Sequence, residues 1–266
     1  MTIMTHGPAP VKPAVAPDGR DFVASLEKGL LVIEAFDESR PRLTLSDVAK
    51  LTGVTRAAAR RYLHTLAQLD YAAFDGRYFS LTPKVLRLGY AYLSSSPLPE
   101  RLQPVLERLS AATGESSSAA VLEGDDIVYV ARSATRRIMS IGLSVGSRLP
   151  AHCTSMGRAI LAHQPAPALD AYLQRARLAP LTPHTITDRD ALRRELTLIR
   201  ERGYAVVNEE LELGLRSIAV PLFQRNDCVT VALNVSTHAA RLTAVEVEKL
   251  FLGPLLEASA TLRHAF

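Results

Sequence analysis

Arg56, Arg60, Arg61 and His64 fall within one short segment, TRAAARRYLHTL. At about 100° per residue, a helix gathers them with Ala57 on one side. The same rotation places Ala59, Tyr62, Leu63 and Leu66 on the other. An apolar face can seat such a helix on its own domain. A small residue near its start lets the basic face enter the DNA major groove, where arginines reach phosphates or the O6/N7 edge of guanine. Thr55 is placed to cap the N-terminus. An ordinary amphipathic helix with a solvated basic face would carry the same pattern, so the flanking residues decide.

Upstream, Ser46–Leu51 reads as a short helix, with Ser46 as its cap and Asp47 favourable in its first turn. Thr52-Gly53-Val54 forms the corner, and the second helix runs from Thr55 to about Leu69. Downstream, YAAFDGRYFSLTP carries an Asp75-Gly76 pair between apolar residues, a two-residue hairpin signal, with Arg77 just past its tip. Helix, turn, helix and basic-tipped hairpin make a winged helix-turn-helix. Phe22–Phe36 supplies a third amphipathic helix, and Arg42–Leu45 a short strand against the wing. This sets a DNA-binding domain at residues 21–82. Its candidate contacts are Thr55, Arg56, Ala57, Arg60, Arg61, His64 and Arg77.

Charge supports that placement. The 266 residues carry a net charge of +4, but Ser39 to Ser95 holds nine Lys/Arg against three Asp/Glu. Residues 96–266 are nearly neutral, which argues against a protein that coats DNA through its whole surface. The Pro- and Ala-rich residues 1–20 read as a disordered tail and not as a signal peptide. No apolar run approaches membrane-spanning length. Cys153 and Cys228 form no metal or redox spacing, so no metal and no cofactor is expected. A cytoplasmic setting follows.

Pro83 opens a linker helix, Lys84–Leu93, and residues 83–97 separate the two domains. Residues 98–266 read as α+β. Helices are expected over Leu98–Ala112, from Ser155 to about Ala162, over 164–184, Asp188–Arg202 and Thr243–His264. Strands are expected at Ser117–Leu122, Ile127–Arg132, Ile138–Leu143, Tyr204–Asn208, Ser217–Phe223 and Val229–Ser236, with Asn226-Asp227 turning the last pair. Within the apolar strands, Asn234 and Ser236 share a face, and Ser217 is a lone polar residue. Ser155 starts a helix, where a carboxylate is favoured. These residues outline a small polar pocket. His152, Cys153 and Ser155 could instead suggest a hydrolytic nucleophile and base. Neighbours in sequence do not make a catalytic geometry, and no nucleophile elbow or phosphate loop accompanies them. No catalytic residue is assigned.

Taken together, SLEKGLLVIEAF, SDVAKLTGVTRAAARRYLHTL, LPAHCTSMGRAILA and GYAVVNEELELGLRSIAVPLF resemble the IclR family of bacterial transcription regulators over about residues 22–264. The resemblance implies a winged helix-turn-helix, a linker helix and a C-terminal GAF-like effector-binding domain. It also implies a dimer or tetramer on a palindromic operator. MSIGLSVGSRLPAHCTSMGRA and NEELELGLRSIAVP look most like regulators of aromatic-acid catabolism in the β-ketoadipate pathway. Protocatechuate, 4-hydroxybenzoate or β-ketoadipate is then the effector, and RNA polymerase a partner if the protein activates. The alternative is a repressor answering to a non-aromatic keto or carboxylic acid. Carried over, the pocket comprises Ser155, Met156, Glu210, Ser217, Asn234 and Ser236, with Arg148 or Arg216 pairing an acidic effector. Val207 departs from the acidic or Ser residue of many relatives, which leaves open which of Glu209 and Glu210 faces the pocket.

Overall fold

A computed structural model of the chain describes residues 22–37, 39–135, 143–223 and 228–263. The expected N-terminal tail, most of the expected strand at 138–143 and the Asn226-Asp227 turn lie outside them. The chain divides into two compact units between Tyr92 and Leu93, inside the stretch expected to link the domains.

The first unit begins with α1 (Ala24–Glu34), α2 (Leu45–Thr52) and α3 (Arg56–Gln68). Strands β1 (Ala72–Phe74) and β2 (Phe79–Leu81) pair as the antiparallel wing. Val32, Leu43, Val48, Ala59, Leu63 and Phe79 form its core. Leu43 exchanges both backbone hydrogen bonds with Phe79, so the strand expected before α2 does meet the wing. The cap of α2 differs from expectation: it is Thr44, not Ser46. Thr44 Oγ1 accepts from the Asp47 amide at 3.3 Å, and the Asp47 carboxylate accepts from the Thr44 amide at 3.0 Å. This reciprocal box satisfies two free donors, whereas Ser46 as cap would satisfy one. It also holds the Asp47 carboxyl below its ordinary pKa, chiefly through its hydrogen bonds to Thr44. Gly53 adopts φ 71°, the left-handed corner that the motif requires.

A single turn of tighter helix, Pro83–Val85, precedes α4 (Leu86–Ser95). Next come α5 (Pro97–Thr113), β3 (Ser116–Glu123), β4 (Asp126–Ser133) and β5 (Arg148–Pro150). Then follow α6 (Ser155–Leu161), α7 (Ala166–Arg175) and α8 (Arg189–Arg202). The chain closes with β6 (Ala205–Asn208), β7 (Leu215–Phe223), β8 (Val229–His238) and α9 (Ala244–Arg263). Among the described residues, six strands of the second unit form one antiparallel sheet in the order β5-β4-β3-β8-β7-β6.

Strand alternation gives this sheet two different faces. Val231, Leu233 and Val235 of β8 join Ile218 and Val220 of β7 against Leu102 and Leu106 of α5 and Phe251 and Leu255 of α9. The other face begins with small residues, Ala120, Ala219 and Ala232, which let α6 approach closely through Met156 and Ile160. Further along the same strands it turns polar, at Ser118, Asn234, Ser236 and Ser217. A β-bulge in β4 separates the Ala119–Ala131 and Ala120–Tyr129 pairs. The extra residue, Val130, resets the alternation and brings Tyr129 and Arg132 to the same polar-bearing face.

Candidate functional sites: a reading helix with its wing, and a polar cavity

On α3, the Thr55 hydroxyl accepts from the Ala58 amide at 3.2 Å, so the expected cap is present. Ala59 and Leu63 are fully buried, while Thr55, Arg56, Ala57, Arg60 and Arg61 are exposed together. His64 does not stand free with them. Its ring lies edge-on to Phe74 and Phe79, with centroids 5.6 and 5.5 Å away. It shares their azimuth on the helix but sits two turns beyond Arg56, where the hairpin covers α3. His64 packs the wing onto the helix, with its ring part-exposed at the far end of the expected contact face.

At the wing tip, the Asp75 carboxylate accepts from the amides of Arg77 and Tyr78 at 2.9 and 2.7 Å. Gly76 takes φ 99°. Arg77 is exposed, with its guanidinium 5.1 Å from the Tyr78 ring centre. Arg42 lies 5.0 Å from the same ring and pairs with Asp75. The strand expected at Arg42–Leu45 put Arg42 beside the wing, but its pairing with the tip residue Asp75, 33 positions away, was not legible in the sequence.

In the second unit, a cavity of ≈ 20 Å³ lies under the start of α6. Ser155, Met156, Ser217, Asn234 and Ser236, all expected there, line it together with Tyr129, Cys153, Val207 and Leu211. Ser155 Oγ and Asn234 Oδ1 are buried without a hydrogen-bond partner, whereas Asn234 Nδ2 donates to Ser236 Oγ at 2.9 Å. Buried polar groups are normally satisfied, so two orphaned atoms in one cavity mark a place for a polar guest. Val207 gives the wall an apolar member.

Three expected members are elsewhere. Glu210 is buried but does not line the cavity. Arg158 donates to both of its carboxylate oxygens, at 2.6 Å for Nη1, and the Ile186 amide donates to it at 3.0 Å. Glu209 is turned away as well: it takes φ 55°, and its carboxylate accepts from the Gly214 amide at 2.8 Å. Thus neither glutamate faces the pocket. Arg148 is half-exposed and pairs with Glu123 and Asp126 at the sheet edge. Arg216 is spent on Asn208 Oδ1 at 2.7 Å and on the carbonyls of Ala239 and Leu242. Cross-strand register explains Arg216: its neighbour Ser217 points to the cavity, so Arg216 points to the opposite face.

The residues that could have formed a nucleophilic cluster are not arranged for it. His152 Nε2 lies 3.2 Å from the Ala179 carbonyl, and burial holds its pKa below the ordinary imidazole value. Burial pushes the Cys153 thiol up to about 12, far from an activated thiolate. Ser155 Oγ has no base beside it. Among the described residues no His, Cys, Asp and Glu cluster could hold a metal ion, and no helix is long and apolar enough to cross a membrane.

A basic reading helix with its wing, followed by a sheet domain with a polar cavity, defines a DNA-binding regulator with a small-molecule sensor. The chain belongs to the IclR family of bacterial transcription regulators, and it is not an enzyme. The family's helix-turn-helix domain matches residues 25–76, and its bacterial transcriptional regulator C-terminal domain matches residues 90–264. The Pca regulon regulatory protein of Pseudomonas putida is 51% identical over 245 residues, covering 92% of this chain and 84% of that one. The p-hydroxybenzoate hydroxylase transcriptional activator of Acinetobacter baylyi is 40% identical over 227 residues, covering 84% of each. The crystal structure of a transcriptional regulator from Rhodococcus sp. RHA1 superposes with a TM-score of 0.79 at 47% identity, covering 91% of this chain and 98% of that one.

Proposed function

We propose that this protein regulates an operon for aromatic-acid catabolism, with protocatechuate, 4-hydroxybenzoate or β-ketoadipate as effector. The observation that carries the effector half is the buried cavity with unpartnered Ser155 Oγ and Asn234 Oδ1, in a chain so similar to the two named regulators. Effector binding shifts the equilibrium between two states of the protein by its differential affinity for them. A cavity of ≈ 20 Å³ has room for about one water, so a ring-sized guest enters as the wall yields. Met156, unbranched and adaptable, is the lining residue best suited to yield.

The protein acts in the cytoplasm as a homodimer or homotetramer, and it contacts RNA polymerase where it activates. Self-association is supported by apolar residues left exposed on α1 and α4, among them Leu26, Leu30, Leu86 and Leu88. Thr55, Arg56, Ala57, Arg60 and Arg61 enter the major groove, and Arg77 with Arg42 follows the backbone beside it.

A thermal-shift panel of protocatechuate, 4-hydroxybenzoate, β-ketoadipate, benzoate, catechol and short keto acids tests the effector class. At about 100 times its dissociation constant a ligand stabilises the protein by roughly 2.7 kcal/mol. A shift confined to the short keto acids would replace the aromatic-acid reading with the keto-acid one. Ser217→Ala is expected to weaken the effector by about 2- to 10-fold while leaving operator affinity unchanged, measured by titration calorimetry and fluorescence anisotropy. Arg60→Ala is expected to cost about 1–3 kcal/mol of operator binding, with relaxed preference at one base position. Unchanged operator affinity would remove Arg60 from the reading face.

A further inference from the structure

Among the described residues, the cavity lining contains no charged side chain. A carboxylate placed there without a cation would bear a heavy desolvation cost. The arginines first considered for that role are committed elsewhere: Arg148 to Glu123 and Asp126, Arg216 to Asn208 and two carbonyls, and Arg158 to Glu210.

Arg132 differs from all of them. Among the described residues it is the one Lys or Arg on the cavity-bearing face of the sheet, brought there with Tyr129 by the bulge in β4. In register it stands opposite Ser118, which itself stands opposite Asn234, so the three form one row across β4, β3 and β8. Two interstrand steps of about 4.8 Å separate the Arg132 and Asn234 backbones by roughly 10 Å. Neither Arg132 nor Ser118 lines the cavity as it stands, so a ring-sized guest that reaches from Asn234 to Arg132 does so by opening the cavity wall along this row.

The Arg132 guanidinium donates through Nη1 to Ser118 Oγ at 3.1 Å, while its buried Nε has no hydrogen-bond partner. No carboxylate pairs with it among the described residues. The sequence that follows it, SATRRIMSIG, contains no acidic residue. Burial lowers its pKa, and the neighbouring Tyr129 phenol, itself pushed up to about 12 by burial, offers it no negative charge near neutral pH. A guanidinium presents its donors as a planar fork that suits a carboxylate, and a buried donor left unmade is costly.

We infer that Arg132 is the carboxylate-binding residue of the effector site. The effector's carboxylate sits on the Arg132–Ser118 side of the row, and its opposite end, carrying a hydroxyl or carbonyl, reaches Asn234 and Ser155. This rests on the cavity being the effector site, as proposed above. It adds that the effector must be an anion with a second polar group at its far end.

The test uses the full chain and two matched probes, 4-hydroxybenzoate and its neutral isostere 4-hydroxybenzamide, with protocatechuate and β-ketoadipate as further acids. Titration calorimetry measures wild type, Arg132→Gln and Arg132→Lys, and the thermal melt of each variant reports the folding of the second unit. Wild type is expected to prefer an acid over the amide by about 10- to 100-fold. Arg132→Gln should erase that preference by losing the acid alone, and Arg132→Lys should restore part of it. Binding of β-ketoadipate in place of the aromatic acids, lost in Arg132→Gln, would support Arg132 as the carboxylate site and name β-ketoadipate as the effector. An acid that binds wild type and Arg132→Gln equally would overturn Arg132 and retain the effector reading. No binding of any acid to wild type would overturn both.

Discussion

Glu210→Gln is expected to destabilise the second unit by about 3–5 kcal/mol. The side chain is nearly isosteric, so packing is preserved and the loss comes from charge. Arg158 is 1% exposed and Glu210 7%. The guanidinium gives Nη1 and Nη2 to the carboxylate and Nε to the His152 carbonyl at 2.6 Å. Removing the negative charge leaves a buried cation without compensation, which costs far more than the net worth of an intact pair. In a unit of this size, each kcal/mol shifts the melting temperature by about 2–4 °C, so a fall on the order of 6–20 °C should be seen by calorimetry. The double variant Arg158→Met with Glu210→Leu should recover much of the loss, since replacing both partners by apolar groups removes the orphaned charge. A Glu210→Gln melt within about 2 °C of wild type would show that the pair is hydrated. The consequence for function follows from position. Arg158 lies on α6 with Ser155 and Met156, and Glu210 immediately precedes Leu211, so the pair ties together two walls of the cavity.

That pair shows where sequence reading stops. The reading helix and the wing were legible, because their signals are local. Ala59 and Leu63 recur at helical spacing, Gly53 supplies the corner, and Asp75-Gly76 closes the hairpin. The alternation of Asn234 and Ser236 with Leu233 and Val235 put the polar face of β8 in view. Glu210 looked like a pocket residue because its acid stands beside the right segment. Its actual partner is 52 positions away and comes through another element. Arg132 was hidden for a related reason. Strict alternation along β4 puts Arg132 with Val130 and opposite Tyr129, and only the register shift against β3 reverses that. Azimuth alone did not show the packing of His64 on the hairpin, which covers the far turn of α3. Ser46 lost the cap to Thr44 because the T-x-x-D box uses both partners' backbone amides.

Gly157→Ala is expected to destabilise the same unit by about 1–3 kcal/mol or more and to weaken effector binding with it. A methyl carbon at Gly157 would lie 2.3 Å from the Ala151 carbonyl oxygen, 2.5 Å from Ala151 Cα and 2.6 Å from Thr154 Oγ1. Two of these are backbone atoms of the tight turn Ala151–Cys153, which cannot swing aside as a side-chain tip would. The third is the hydroxyl that caps α6 by accepting from the Gly157 amide at 3.3 Å. Either α6 or the turn must move, and Cys153, Thr154, Ser155 and Met156 of the cavity wall move with them. The sign is informative, because alanine in a helix is ordinarily favoured over glycine by about 1 kcal/mol. Gly89→Ala on α4 provides the comparison, since nothing lies within 4 Å of its added methyl. That variant should melt at or slightly above wild type. The same chemical change thus has opposite expected signs at two helical sites, and thermal melts of the two variants separate them. A Gly157→Ala protein that melts above wild type and keeps its effector affinity would mean that α6 and the preceding turn are not in the close contact on which the cavity's shape depends.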